Sequence, residues 1–91
     1  MSDHIWYLYI VRCKKGALYT GITTDVLQRV NTHNSGKGAK SVVMLGLPVE
    51  LVYVEEVGTY SEALRREKAV KRLKKPQKEM LVEAYLGSLS P

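Results

Sequence analysis

Two apolar segments, separated by three residues, open this chain: "HIWYLYIVRC", residues 4–13, then "KKG", then "ALYTGI", residues 17–22. Aromatic and β-branched side chains favour strand backbone. A connection as short as Lys14-Lys15-Gly16 reads as a tight turn, so the second segment returns along the first as a β-hairpin. Any fold of this chain has to be built around that hairpin. A third apolar segment, "PVELVYVEEV" at 48–57, is apolar on both faces through its middle, as expected of a central, well-covered strand.

Helix signals fill the intervals. Thr23, Thr24 and Asp25 offer N-caps for a helix running to about His33 or Asn34, with Val26, Leu27 and Val30 as its apolar side. "NSGKGAKS", 34–41, reads as a glycine-rich loop. Thr59 and Ser61 can cap a second helix to about Lys75. Pro76 suits the first residue of a third helix, which Gly87 ends. The order β-β-α-β-α-α predicts a small α/β (α+β) sandwich, helices against a three-stranded sheet.

Ninety-one residues, 45% hydrophobic and 25% charged, describe one folded domain over 1–91 with its core in about 4–87. No apolar run is long enough to span a bilayer. "MSDHIWYLYIVRC" carries an acid and a histidine where a signal peptide would be basic. Cys13 is the single cysteine, so the chain has no intramolecular disulfide partner for it. These features predict a cytoplasmic protein without a membrane partner.

The charge is unevenly placed. Residues 65–78, "RREKAVKRLKKPQK", hold eight of the fourteen basic residues and one acid, for a local charge of +7 against −2 elsewhere. Such a stripe fits a phosphate backbone, and equally a well-solvated helix. Its acid is the local anomaly. Ala63, Leu64, Val70 and Leu73, flanked by Ala69, form the apolar stripe of the second helix, and the missing member at a period of 3.6 residues is Glu67. A carboxylate there must be paired, hydrogen-bonded or holding a metal. The simple alternative is an ion pair with Lys71, one turn on.

Arg29 and His33 are four apart and share a helix face directed at the end of the second strand. Gly21 would allow close approach to the backbone. Tyr9 and Tyr19 lie in paired strands, within reach of each other. Two phenols, a guanidinium, an imidazole and an isolated carboxylate make a candidate phosphodiester site, the arginine stabilising phosphate charge and the carboxylate holding a divalent ion.

"YLYIV" at 7–11 followed by "LYTG" at 18–21 resembles the paired signature of the GIY-YIG nuclease superfamily. The likeness continues through Arg29, His33, "HNSGKGAK", and Glu67 within "SEALRREKAVKRL", and is nearest to the small stand-alone bacterial proteins of that superfamily. The chain departs from the pattern in reading Tyr7-Leu8-Tyr9 in the first motif, in placing Thr20 at the centre of the second, and in the apolar "SVVMLGL" at 41–47. The resemblance implies a three-stranded antiparallel sheet flanked by helices, and DNA phosphodiester hydrolysis with one divalent ion, Mg²⁺ or Mn²⁺. Tyr9, Tyr19, Arg29, His33 and Glu67 match its catalytic positions, Glu67 that of the metal ligand, and Gly21 the glycine of the second motif.

A mechanism follows from these expectations. Glu67 holds the ion, Arg29 binds the scissile phosphate through its planar fork, and Tyr19 takes the proton of the attacking water, assisted by His33 or Tyr9. A free phenol titrates near about 10 and needs positive charge nearby, whereas imidazole titrates near about 6.5, which makes His33 the rival base. Lys37, Lys40, Arg65, Lys71, Lys74, Lys75 and Lys78 are the expected DNA contacts, through the phosphate backbone. The alternative from another class is a nucleic-acid-binding module that keeps the fold and cleaves weakly or not at all.

Overall fold

The computed structural model describes residues 4–89. Its elements are β1 (Trp6–Arg12), β2 (Leu18–Thr23), α1 (Val26–Asn34), α2 (Lys40–Leu45), β3 (Glu50–Gly58), α3 (Tyr60–Lys71) and α4 (Lys75–Leu89). The expected order β-β-α-β-α-α is found, with one further short helix, α2, between α1 and β3. All strand pairs are antiparallel, and the sheet order is β2-β1-β3.

β1 is therefore the centre of the sheet, and β3, expected there, is an edge. The burial of β1 shows the reason. Leu8, Tyr9, Ile10 and Val11 are all fully buried, alternate residues facing opposite layers. Leu8 and Ile10 pack with Val52, Val70 and Val82, on the side covered by α3 and α4. Tyr9 and Val11 pack with Val42 and Val49, on the side of α1 and α2. β3 is apolar on both faces because these two layers extend out to it, while its exposed Glu50 and Glu56 leave the edge charged.

The helices also correct some boundaries. Asp25 caps α1 by accepting from the Gln28 amide, and Thr59 with Glu62 forms a capping box on α3. Leu27 is 72% exposed rather than packed; Val26, Val30 and His33 form the inward line of α1. α3 stops at Lys71 because Leu73, in the turn that follows, packs on the Leu8 cluster. Ala69, expected to flank the stripe, is exposed. α4 starts one residue before Pro76 and runs past Gly87 to Leu89. α2 accounts for the apolar stretch at 41–47: Val42 is buried against the Tyr9 layer, so this segment supplies core.

An Arg12–Glu79 pair, with contacts of 2.9 and 2.7 Å, ties α4 to β1. Arg66 grips Glu55 through two nitrogens and so ties α3 to β3. The free edge of β2 is left between α1 on one face and α3 on the other.

Candidate active site at the free edge of β2

The β1–β2 register sets Tyr9 opposite Gly21 and Val11 opposite Tyr19. Since side chains alternate, Tyr9, Tyr19 and Gly21 share one face. The Tyr9 ring lies across the backbone of Gly21: a Cβ at position 21 would stand 2.5 Å from the Tyr9 hydroxyl. Glycine is required here by that approach, since the lack of a side chain lets a buried ring reach the strand edge. Thr20, at the centre of the second motif, points to the other face and is buried there, with no hydrogen-bond partner for its hydroxyl among the described residues.

His33 completes the inner part of the site. It is buried, and its Nε2 lies 2.9 Å from the Tyr9 hydroxyl. Its ring meets Tyr19 edge-on at 5.5 Å between centroids. Its Nδ1 has no partner among the described residues and is walled off by Gly38, where a Cβ would overlap that nitrogen and stand 3.0 Å from the His33 Cα. Burial first, and the Arg29 charge second, hold the His33 pKa below its ordinary value, so the ring is neutral. Burial, with Tyr19 adding to it, pushes the Tyr9 phenol up to about 12. Tyr9 therefore keeps its proton at neutral pH.

Arg29 and His33, four residues apart, divide their duties: Arg29 is exposed while His33 turns inward. Arg29 lines a cleft of about 340 Å³ together with Tyr9, Tyr19, Gly21 and, from α3, Glu67. The Glu67 side chain is 19% exposed and its partner is Lys71, at 3.4 Å. Glu67 thus stands at the margin of the apolar stripe, paired as the simpler reading of the sequence expected. Lys71 Nζ is also 6.0 Å from the centre of the Tyr19 ring. Glu62, the nearest other acid of α3, is occupied by its capping box.

The basic residues disperse. Lys37 lines a polar cleft of about 480 Å³ adjoining the first, with Gln28 and Thr32. Lys40 begins α2, and Arg65 is exposed on α3. Lys75 Nζ donates to the Gly16 carbonyl in the hairpin turn at 3.3 Å, and Lys74 and Lys78 belong to the same end of α4. None of these three lines either cleft. Gln28, Thr32, Gly38, Trp6 and Tyr60 line the clefts without having been singled out in the sequence. Only Gly38 carried a signal, a second glycine close behind a candidate histidine.

A family model described as the GIY-YIG catalytic domain matches residues 5–80. The chain belongs to the GIY-YIG family. Among its relatives, a UPF0213 protein of Yersinia enterocolitica is 51% identical over 89 residues, covering 98% of this chain and 91% of its own. A UPF0213 protein of Yersinia pestis is 51% identical over 82 residues, covering 90% and 85%. Two solution NMR structures share the fold. The UPF0213 protein of Bacillus halodurans superposes with a TM-score of 0.56 at 44% identity, covering 88% of this chain and 84% of that one. A protein from E. faecalis gives 0.60 at 36% identity, covering 89% and 85%. GIY-YIG domains form a nuclease family, and the cleft at the β2 edge is where this chain gathers the residues of the two motifs. Among the described residues no helix is long and apolar enough to cross a membrane, and Cys13 is a buried free thiol.

Proposed function

We propose that this GIY-YIG domain hydrolyses a DNA phosphodiester with one divalent metal ion. The observation that carries the proposal is the convergence of Arg29, Tyr9, Tyr19 and a lone carboxylate, Glu67, on one cleft. Among the described residues no three histidine, cysteine or acidic side chains cluster as a metal cage. A single carboxylate beside a cleft fits Mg²⁺ or Mn²⁺, which keep water ligands and take phosphate oxygens, and does not fit a structural zinc. Glu67 would hold the ion, whose charge would stabilise the leaving oxygen and the transition state.

The remaining roles fall to the chain's own groups. Arg29, exposed at the cleft, is placed to bind the scissile phosphate through its fork. With the His33 proton on Nε2, Tyr9 accepts from His33 and keeps its own O–H to donate to phosphate or water. Buried His33 has its Nε2 engaged with Tyr9 and its Nδ1 covered by Gly38, so neither nitrogen is presented to water. Half-exposed Tyr19, beside the Lys71 ammonium, is left as the group that in its phenolate form would take the water proton and become the neutral phenol. The Glu67–Lys71 pair favours the second reading, a DNA-binding module with weak or no catalysis, in which Glu67 is only an ion-pair residue.

Glu67→Ala separates the two. Loss of a pair with an exposed lysine, offset by alanine's better helix propensity, leaves stability within about 1 kcal/mol of wild type. Thermal melting should therefore be nearly unchanged, and DNA binding retained, while Mg²⁺-dependent nicking of labelled single-stranded, flapped or branched DNA is lost. Nicking by the variant at the wild-type rate would overturn the metal-ligand assignment.

A further inference from the structure

The clefts at the β2 edge form one groove. The polar and catalytic clefts share Tyr19 and Arg29; at its far end the catalytic cleft shares Trp6 and Tyr60 with a third hollow of about 470 Å³. The chemistry changes along this path. Threonine hydroxyls, Gln28 and Lys37 line one end, the guanidinium and carboxylate the middle, and an indole and a phenol the other end. The aromatic pair is assembled by the β1–β3 register, which sets Trp6 opposite Gly58, two residues before α3 begins with Tyr60. The two ring centroids are 4.7 Å apart at an interplanar angle of 55°. Tyr60 is 52% exposed and neighbouring Ile5 is 45% exposed, and neither aromatic belongs to the two buried clusters of the core. Tyr60, Leu64, Glu67 and Lys71 recur at helical spacing, so one face of α3 follows the groove from its aromatic end to Tyr19. Tyr60 and Glu67 are about 10 Å apart along the helix axis.

We propose that Trp6 and Tyr60 form a stacking platform for an unpaired nucleobase of the strand whose phosphate lies on Arg29. The proposal rests on the nuclease reading and adds to it a site that determines which strands are taken. Every base presents a flat π-face, so a platform of this kind tolerates any sequence, while the backbone of the same strand is held by the cation and hydroxyls of the groove. A base within a duplex is already stacked and must be extruded before it can lie on the pair. The chain's net charge of +5 favours a polyanion over an apolar peptide as partner, and the cations nearest the strand are Arg29 and Lys37 of the neighbouring clefts.

Trp6 is the single tryptophan, so its fluorescence reports the platform directly. The experiment titrates the full chain with a short thymidine oligonucleotide in EDTA, following tryptophan emission and the anisotropy of a label on the oligonucleotide together. Emission should change in step with binding, and much less with an oligonucleotide of the same length made of abasic sites or with a blunt duplex. Tyr60→Ala should weaken binding of the thymidine oligonucleotide by roughly 5- to 100-fold, the worth of one base on one aromatic ring. Tyr60→Phe should restore it. Tyr60 is exposed at the start of α3, and a melting curve verifies that the alanine variant is folded. Unchanged affinity in folded Tyr60→Ala, or constant Trp6 emission at saturating oligonucleotide, overturns the platform. Because binding is read without metal, a chain that stacks the base and never cuts sinks the nuclease proposal alone. One that cuts while Tyr60→Ala binds like wild type sinks the platform alone.

Discussion

Gly21→Ala should destabilise this protein strongly at a position that looks permissive. Gly21 lies in a strand and is not among the glycines with positive φ. Alanine at an unstrained glycine position ordinarily stabilises by about 0.4–1 kcal/mol, by narrowing the unfolded ensemble. Here the added methyl would stand 2.5, 2.7 and 2.9 Å from Oη, Cζ and Cε1 of Tyr9. Tyr9 is fully buried and held by His33, and its ring must shift by roughly 1 Å to regain ordinary van der Waals contact. That shift breaks its 2.9 Å contact with His33. Overpacking costs about 1–3 kcal/mol. A buried phenol and imidazole left poorly paired cost about 1–3 kcal/mol more. After the entropic gain is set against these terms, the net loss is about 1–5.5 kcal/mol. For a domain of this size the melting temperature falls by roughly 5–30 °C. Urea and thermal unfolding of Gly21→Ala, Tyr9→Phe and the double variant measure this. Removing the hydroxyl deletes the atom nearest the new methyl, so the double variant should lose at least about 1 kcal/mol less than the sum of the singles. A Gly21→Ala protein as stable as wild type, or single effects that add within about 0.5 kcal/mol, would refute the reasoning.

Two further outcomes follow from the same structure. His33 has its pKa held below the ordinary 6.5, so as pH falls through that value the unfolded chain takes up a proton that the folded chain refuses. Stability should therefore decline with falling pH from about 6.5 down to the folded pKa and then level off as far as this group is concerned. His33→Gln should flatten the profile of urea midpoint against pH between roughly 6.5 and 5, above the usual carboxylate range; a flat wild-type profile there contradicts the buried neutral imidazole. Reversing the charges of Lys74, Lys75 and Lys78 should weaken DNA binding about equally across sequences and reduce the salt slope by roughly 2–3, yet leave the change in Trp6 emission at saturation intact, because these lysines lie outside the groove. Unaltered affinity at low salt would make them a solvated surface only.

The sequence by itself determined the local features: the hairpin of 4–22, the cap windows 23–25 and 59–61 within which the structure uses Asp25 and Thr59, and the helical faces that carry Arg29 and Glu67. Each depends on residues a few positions apart, where periodicity, capping chemistry and turn length act directly. The candidate site residues were legible through the two motifs and the helix spacing, and Gly21 as a point of close approach, though not that the approaching group is the Tyr9 ring. What only the tertiary structure decided depends on pairing between distant segments. An apolar pattern says that a strand is covered, but both β1 and β3 carry one, and only the register of 6–12 against 50–58 makes β1 the centre. The same register brings Trp6 to Tyr60. Likewise, equal spacing put Arg29 and His33 on one helix face, but the packing of α1 beside Tyr9 and Gly38 turned the imidazole inward and left the guanidinium outside. A side chain's burial is set by what lies across from it, and no local pattern encodes that.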